Sequence, residues 1–435
     1  MSDRFAALQR EHLGNLQRFY DKTLETLGYD GVMIYSGSPA LHFGDDQHAS
    51  FCSYGHFQHW TGQATLAHSW LFIQPGQRPV CYFHAPDDFW HLPPRLPDQA
   101  WTTQLEVVTT REVVPPVPKA GRLAVVGDVG EAIAQRLGAE CNPSALLAAL
   151  DEGRVRKSDF EVACMGEANR MALRGHRAAR EAFLAGGSEL DLQLAYLQAS
   201  RQRESELPYG NIIGIGRHAA VLHYQHYAAD EPTSRHSLLV DAGCRHRGYC
   251  ADITRTWPGP DATSLFTDLI AGMHALQQRL AAAVAPGVDF VDLHEEMHRL
   301  LGALLVESGL VRGSVEAAIE AGITRAFCPH GLGHLIGVQV HDVAGRTAAD
   351  GSPLPPPPQH PALRLTRELE PGMAVTIEPG LYLIPMLLSP LESGPAGRLV
   401  DWGLVDHLAP HGGIRIEDNI VVTPDSARNL TAEIE

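Results

Sequence analysis

The stretch Leu238–Thr254, which reads LLVDAGCRHRGYCADIT, decides the fold of the second half of the chain. An apolar strand ends on Asp241, and after a turn-like segment the chain returns to Asp252. If the hairpin turns about His246 and Arg247, the two aspartates are direct cross-strand neighbours on one face, with Cβ atoms about 5 Å apart. Two carboxylates that close destabilise each other unless a cation lies between them. We therefore expect a metal or acid–base site here rather than a solvated edge pair.

Two later segments also place a carboxylate where the pattern indicates a buried strand. Ala374–Gly380 (AVTIEPG) ends an apolar strand on Glu378, and Ile414–Val422 (IRIEDNIVV) is predicted to be one continuous strand. The period of two then puts Arg415 and Glu417 on the same face of that strand. Each segment alone is more typical of a surface feature, but together with the first pair they favour one shared acidic site.

A histidine-rich segment, Pro329–Asp342 (PHGLGHLIGVQVHD), lies between these strands. It contains His330, His334 and His341 beside several glycines. Because glycine breaks helices, the spacing of the first two histidines does not indicate one helical face. Three histidines this close together, in backbone that can approach a ligand, predict a binding site.

The charges of these residues indicate which cofactor they would hold. Asp241, Asp252, Glu378 and Glu417 total −4, and a neutral His334 adds one imidazole. Burying that charge without compensation is prohibitive, whereas two divalent cations supply the opposite charge. Oxygen ligands with one imidazole suit Mn²⁺, Co²⁺ or Zn²⁺. Two such ions hold a bridging water as hydroxide near neutral pH, which predicts a hydrolase.

Composition excludes several other classes of protein. The chain has 435 residues, of which 44% are hydrophobic, so it can build packed cores. Its net charge of −17 argues against binding nucleic acid or an anionic membrane surface. We see no apolar run of membrane-spanning length and no export signal at the N-terminus. Seven cysteines without CxxC pairs fit a reducing compartment, so we expect a cytoplasmic protein.

The pattern divides the chain into a smaller α/β domain over residues 1–156 and a mixed α+β domain over residues 157–435. In the first, helical periodicity over 5–27 precedes a strand at 31–35 and a hairpin over 69–83. Ser158 and Glu161 form a capping-box pattern that opens a long helix. The later helices are predicted near 263–284 and 289–308.

The order of the motifs VDAG, ADITRTW, HGLGH, IEPGLY and RIEDN resembles that of a known family. It is similar to the dinuclear-metal "pita-bread" peptidases, which include aminopeptidase P, prolidase and methionine aminopeptidase. The stretches PHGLGH…GVQVHDVAG and GGIRIEDNI look most like the bacterial prolidases, which are Xaa-Pro dipeptidases related to organophosphorus acid anhydrolases. The resemblance implies a C-terminal pita-bread domain preceded by the smaller domain.

The resemblance also implies a role for each candidate residue. Its metal ligands would be Asp241, Asp252, His334, Glu378 and Glu417. Catalysis would involve Glu378 as a proton shuttle, His341 as a hydrogen-bond donor to the scissile carbonyl, and His223 and Arg415. The substrate would contact Tyr209, His223, His330, His341 and Arg415. Two ions per chain are expected, Mn²⁺ first and Co²⁺ or Zn²⁺ otherwise, with a small peptide as substrate. A homodimer is expected, in which the partner's N-terminal domain closes the pocket.

Several alternatives stay open from the sequence. An aminopeptidase P that acts on longer Xaa-Pro peptides, or an organophosphorus acid anhydrolase, would use the same site. A non-catalytic pita-bread module would lack metal ligands. Finally, His294–His298 (HEEMH) satisfies the HExxH zinc-protease motif, although both histidines are expected at the margin of an amphipathic helix.

Overall fold

The computed structural model describes residues 2–116 and 121–435, which divide into two units. The N-terminal unit comprises Met1–Cys164 with His246–Tyr249 and Ala348–Ser352. The C-terminal unit comprises Met165–Arg245, Cys250–Thr347 and Pro353–Glu435. None of the helices in the described ranges combines the length and apolar character that a bilayer span needs.

Helices and strands alternate in the N-terminal unit. In chain order they are α1 (Ser2–Leu27), β1 (Gly31–Tyr35), α2 (Gly55–Thr61), β2 (Trp70–Ile73), β3 (Val80–His84), α3 (Trp101–Gln104), β4 (Glu106–Thr110), β5 (Leu123–Val126), α4 (Glu131–Leu137), β6 (Ala139–Cys141) and α5 (Ser144–Val155). The strands pair in the order β4-β3-β2-β1-β5-β6. Strands β1, β2 and β3 are antiparallel neighbours, whereas β5 and β6 join in parallel. The predicted helix, first strand and hairpin are all confirmed.

Apolar spacing explains how this unit is packed. Leu13, Leu16, Tyr20 and Leu24 lie three or four residues apart on α1, and all four are buried in the core beneath the sheet. Every residue of β1 is buried, which is typical of a strand covered on both faces.

From Asp159 onward the elements are α6 (Asp159–Leu184), α7 (Glu189–Ser200), β7 (Ile212–Ile215), β8 (Ser237–Asp241), β9 (Arg245–His246), β10 (Tyr249–Cys250), β11 (Thr254–Pro258), α8 (Ser264–Ala282), α9 (Phe290–Glu307), α10 (Val315–Glu320), α11 (Ile323–Phe327), β12 (Ala374–Ile377), β13 (Gly380–Tyr382), α12 (Pro385–Ser393), α13 (Trp402–Leu408), β14 (Gly413–Arg415), β15 (Asp418–Val422) and β16 (Ala427–Asn429). Helix α6 begins at the predicted capping box, because the backbone N–H of Ser158 donates to Glu161 Oε2 at 2.8 Å.

Small antiparallel sheets in the C-terminal unit bring the acidic segments together. Strands β7, β8 and β11 form one sheet, β12, β15 and β16 form another, and β13 pairs with β14. Ala168, Ala172 and Ala179 on α6 share a core with residues of β7 and β8. An isolated bridge between Thr254 and Glu417 joins two of the acidic segments.

The prediction of one continuous strand over 414–422 is wrong. Strand β14 ends at Arg415 and pairs with β13, whereas β15 begins at Asp418 and pairs with β12. The chain changes partner between them, and the backbone N–H of Glu417 donates to the carbonyl of Thr254 at 3.0 Å instead. This change of partner directs Glu417 toward the strands that carry the first two aspartates.

Candidate metal centre

The hairpin that carries Asp241 and Asp252 has a different register from the predicted one. Asp241 pairs with Thr254, so the prediction that the two aspartates are direct neighbours is wrong by two residues. The turn is centred on Arg247 and Gly248, which have φ values of 48° and 87°. Positive φ at both central residues defines the tight turn that matches strand twist, and glycine favours it. Asp252 is thus diagonal to Asp241 and stays on the same face.

The hydroxyl of Tyr209 joins the two aspartates. It lies 2.8 Å from Asp241 Oδ1 and makes a second, shorter contact with Asp252 Oδ1. A tyrosine hydroxyl has one proton and can donate to only one carboxylate at a time. The carboxylate that does not receive this proton needs another proton or a cation nearby. This contact is the first indication that the site binds a cation.

His334 presents one ring nitrogen to the carboxylates. Its Nδ1 lies 2.9 Å from the carbonyl oxygen of Leu335, which holds the proton on that nitrogen. Nε2 then faces Asp252 Oδ2 and Glu378 Oε1, at 3.4 and 3.6 Å. A backbone hydrogen bond of 3.1 Å from His334 to Thr376 Oγ1 fixes the segment. A histidine oriented in this way is suited to binding a metal.

The ligand atoms of Asp252, His334 and Glu417 all lie within 4.8 Å of one another, close enough to share an ion. Glu417 is oriented by Thr254, whose hydroxyl donates to Glu417 Oε2 at 2.6 Å. The structure thus brings together the five predicted ligands, Asp241, Asp252, His334, Glu378 and Glu417, on the wall of one cavity.

Burial and mutual repulsion raise the pKa values of these acids. Burial raises the pKa of Glu378 to about 7, with the charge of Asp252 adding to the effect. Burial, together with the three neighbouring carboxylates, raises the pKa of Glu417 well above its usual range, and burial also raises that of Asp241. Burial lowers the pKa of His334, but Asp252 and Glu378 outweigh it, so the pKa is raised. The donor set therefore holds protons that a divalent cation would displace, and it fits such a cation chemically.

Arg415 is held inside this acidic cluster. Its Nη2 donates to Asp241 Oδ2 at 2.7 Å, its Nη1 to the Tyr382 hydroxyl at 2.8 Å, and its Nε to Thr254 Oγ1 at 3.2 Å. Burial lowers the pKa of the guanidinium, but Tyr382 and Asp241 more than compensate, and the pKa lies well above its usual value. The four ionised carboxylates and this guanidinium therefore carry a formal charge of −3.

The cavity has a volume of about 480 Å³. The predicted substrate-binding residues all line it, namely Tyr209, His223, His330, His341 and Arg415. Burial lowers the pKa of His341 to about 4, with help from His334, and burial with the charge of Arg415 lowers that of His330 to about 4. Both imidazoles are thus neutral near pH 7. His330 uses both nitrogens, since Nδ1 lies 2.8 Å from the Gly331 carbonyl and Nε2 lies 2.7 Å from the Tyr382 hydroxyl.

Sequence reasoning missed three residues of the site. Thr254 links Glu417 to Arg415, and the period of two from Asp252 could have identified it. Tyr382 is the last residue of the IEPGLY motif, but it carries no charge that would have marked it as a site residue. Arg364 lines the cavity from an irregular segment, where no periodicity points to it.

The HExxH histidines lie on α9 as predicted, but the prediction that they sit at the margin of its apolar face is wrong. His294 and His298 are 1% and 3% exposed, respectively, and their rings pack against His360. Leu293, Met297 and Leu301 cover the rest of that face, so the helix buries a wider surface than its apolar residues alone suggest.

Residues 163–424, more than half of the chain, match Metallopeptidase family M24. The chain belongs to metallopeptidase family M24. Residues 7–151 match a second family, which is described as the N-terminal domain of Xaa-Pro dipeptidase. Among M24 relatives, the Xaa-Pro dipeptidase of Marinobacter nauticus is 50% identical over 430 residues, covering 98% of each chain. That of Edwardsiella ictaluri is 42% identical over 441 residues, covering 99% of each chain.

Solved structures of aminopeptidases P share the fold of this M24 chain. Proline aminopeptidase P II from Yersinia pestis superposes with a TM-score of 0.73 at 24% identity, covering 98% of this chain and 97% of the other. Aminopeptidase P from E. coli with the inhibitor Pro-Leu gives 0.72 at 22% identity, covering 96% and 95%. The expected pita-bread architecture is confirmed. Membership of M24 and the Asp252–His334–Glu417 cluster together support the use of divalent metal.

Proposed function

We propose that this chain is an Xaa-Pro dipeptidase that works with two divalent cations, Mn²⁺ first and Co²⁺ or Zn²⁺ as substitutes. The convergence of Asp241, Asp252, His334, Glu378 and Glu417 on one cavity carries the proposal. Full-length relatives at 40–50% identity are Xaa-Pro dipeptidases, which supports the substrate class.

The charge of the site supports two ions rather than one. With a formal charge of −3 from the carboxylates and Arg415, one dication would leave the buried cluster negative, whereas two would leave it at +1. A small positive excess suits a site that also receives an anionic substrate. Bound there, the ions would polarise the scissile carbonyl and activate a water near neutral pH.

Glu378 is suited to moving a proton. Burial raises its pKa to about 7, so at neutral pH the carboxyl group can take up or release a proton without a large cost. It also lies within 3.6 Å of His334 Nε2, in the middle of the proposed ligands. We assign it both ligand and proton-shuttle roles.

His341 is suited to binding the carbonyl oxygen of the scissile bond. Its imidazole is neutral at pH 7 and lies perpendicular to the His334 ring, with 4.5 Å between centroids. No hydrogen bond to a described residue occupies its nitrogens, so one N–H can donate to an oxygen that gains charge. His330, whose nitrogens are both occupied, would contact the substrate with its ring edge and support Tyr382 and Arg415.

The dipeptide's carboxylate needs a cation at the cavity wall. Arg415 is already paired with Asp241, whereas Arg364 is exposed to the cavity and donates to no described residue. We therefore propose that Arg364 and His223 receive the carboxylate, with Arg415 holding Asp241 in place. Leu222 and Val340 offer apolar surface to the proline ring.

We also propose a cytoplasmic homodimer. Large apolar side chains of the N-terminal unit are exposed, including Phe43 at 107%, Phe89 at 88% and Trp90 at 77%, and a partner subunit would cover them. Static light scattering after size exclusion tests the dimer directly, because a monomer mass at micromolar concentration would contradict it.

The activity is tested with Mn²⁺-loaded protein on a matched panel of Ala-Pro, Ala-Pro-Ala, Ala-Ala and a phosphotriester. The proposal expects the highest kcat/KM for Ala-Pro and loss of turnover after chelation. Faster turnover of Ala-Pro-Ala would instead identify an aminopeptidase P. Preference for the phosphotriester would identify an organophosphorus acid anhydrolase.

A further inference from the structure

Three histidines form a second cluster that the proposed reaction does not use. His294 and His298 lie one turn apart on α9, and His360 comes from the irregular segment that follows the proline run. Their ring centroids are 4.3 to 4.8 Å apart, and one ring nitrogen of each lies within 4.8 Å of the others. Three imidazoles at these distances can converge on one ion after small side-chain rotations.

Three buried ring nitrogens of this cluster have no hydrogen-bond partner among the described residues. Among the residues described, neither Nδ1 nor Nε2 of His294 has a hydrogen-bond partner, and Nδ1 of His298 has none. His294 is only 1% exposed and His298 only 3%, so these atoms are shielded from water by the protein. Buried polar atoms are almost always paired in folded proteins. A buried imidazole whose two nitrogens both lack a partner, as in His294, indicates that a ligand other than the polypeptide binds to it.

A cavity of about 110 Å³ opens between the three rings, large enough for an ion and a water. Arg325 lines this cavity, and one carboxylate lies near His360 without lining it. The guanidinium of Arg325 lies near His298 and His360, and the carboxylate of Glu295 lies near His360. Since these two charges partly cancel, the three imidazoles determine which ion the cavity binds.

The three imidazoles are available as neutral ligands. Burial, together with the charge of His360, lowers the pKa of His294 to about 2 and that of His298 to about 3. Burial also lowers the pKa of the half-buried His360, with Arg325 adding to the effect. At neutral pH their nitrogens carry free lone pairs, and binding a cation requires the loss of few protons.

We infer that His294, His298 and His360 form a further metal site, separate from the carboxylate centre, that binds Zn²⁺ with water as the fourth ligand. Imidazole ligands without carboxylates suit Zn²⁺, whereas Mn²⁺ favours the oxygen ligands of the other centre. The inference does not depend on the proposed peptidase activity.

An ion in this site would fix one wall of the larger cavity. The site is also lined by His330 and Ala362, and both of these residues line the 480 Å³ cavity. Zn²⁺ would tie the segment around His360 to α9 and so hold Ala362 and His330 in position.

The test is metal analysis of the full-length chain equilibrated with excess Zn²⁺ and freed of unbound ions. The test variant is His360→Ala. Its segment should keep its shape, since neither of the hydrogen bonds that hold it involves the imidazole: the backbone N–H of His360 donates to the Pro357 carbonyl, and the guanidinium of Arg346 donates to the Pro361 carbonyl. The matched control is His407→Ala, which removes an exposed histidine at the end of α13. Circular dichroism without Zn²⁺ establishes that both variants are folded.

We expect wild type and His407→Ala to bind about one Zn²⁺ per chain more than His360→Ala. Zn²⁺ added to Mn²⁺-saturated protein should also raise the Tm of wild type and of the control but not of His360→Ala. Equal zinc content in wild type and His360→Ala would overturn the inference. So would a wild-type chain that binds no Zn²⁺ beyond the carboxylate centre, and this result requires no folded variant. Because the readouts are ion content and Tm, failure of the peptidase assay would leave this test unaffected.

Discussion

Arg415 Nη2 lies 2.7 Å from Asp241 Oδ2, so a residue expected to meet the substrate is already bound to an expected metal ligand. The pair has two effects. It neutralises one negative charge in a crowded cluster, and it holds Asp241 through Oδ2 while Tyr209 holds Oδ1. Arg364, exposed to the same cavity, then becomes the cation available to the substrate.

Replacing Arg364 should weaken substrate binding without changing the chemistry. We expect Arg364→Ala to raise KM for Ala-Pro about 10–100-fold, because a hydrogen bond to a charged group contributes about 1.5–3 kcal/mol. The kcat should change little, since Arg364 is not among the proposed metal ligands. Steady-state kinetics on Ala-Pro measure both constants.

The amide of the substrate provides the control for that variant. Ala-prolinamide lacks the carboxylate, so wild type and Arg364→Ala should hydrolyse it with similar kcat/KM. An equal loss on the amide would show that Arg364 supports the fold of the cavity rather than binding the carboxylate.

Removing the proposed metal ligand Asp252 should weaken metal binding and greatly reduce turnover. Asp252→Asn keeps the size of the side chain but removes a charge, and we expect metal content to fall by about one ion per chain and kcat/KM by about 10³-fold or more. Asp268→Asn on the exposed face of α8 is the matched control. Full metal content in Asp252→Asn would exclude Asp252 as a ligand.

Thr254 should matter although it binds no metal in our proposal. Thr254→Val keeps the shape but removes the hydroxyl that donates to Glu417 and accepts from Arg415. Partners that orient metal ligands typically contribute about 10–100-fold in metal affinity. Competition with a metal-sensitive dye should detect that loss, whereas Thr267→Val on α8 should leave the affinity unchanged.

The stability of metal-free protein should fall as the pH rises. Glu378 has a folded-state pKa of about 7, raised from 4.5, and the pKa of Glu417 also lies well above its usual value. A raised pKa in an acid stabilises the folded state fully below the unfolded pKa, and this stabilisation is lost as the pH rises through the folded pKa. For Glu378 that window is pH 4.5 to 7.

Metal should reverse this trend, because it binds the ionised carboxylates. The difference in Tm between metal-loaded and chelated protein should therefore grow from pH 5 to pH 8, and Glu378→Gln should reduce the slope. A chelated protein whose Tm rises over this interval, relative to the loaded one, would contradict the assignment of these pKa shifts.

The proposed ligands could be selected from the sequence because each violates the local pattern. Asp241 and Glu378 end apolar strands, and His334 lies among glycines, so charge or polarity stands out where burial is expected. The ordered motifs then indicated the family and its pita-bread fold. The long helices were predictable within a few residues because their apolar spacing and caps are local properties of the chain.

Register and partner exchange were not predictable in the same way. The hairpin could turn about His246–Arg247 or one residue later, and only the glycine at position 248, which accepts a positive φ, favours the turn at Arg247–Gly248. The interruption of the strand after Arg415 likewise depends on pairing with two other strands, β13 and β12, that lie more than 30 residues earlier in the chain. Arg364 and His360 lie in irregular backbone, where neither period applies, so their positions follow from packing alone.

The side-chain amide of Asn419 both donates to the carbonyl of Asp252 and accepts from its N–H, across a separation of 167 residues. Since Asp252 cannot adopt its final orientation until that amide arrives, almost the whole chain must leave the ribosome before the centre can close. Metal binding is consequently a late event in the synthesis of the protein. A nascent chain stalled before Asn419 would therefore have no hydrolytic activity.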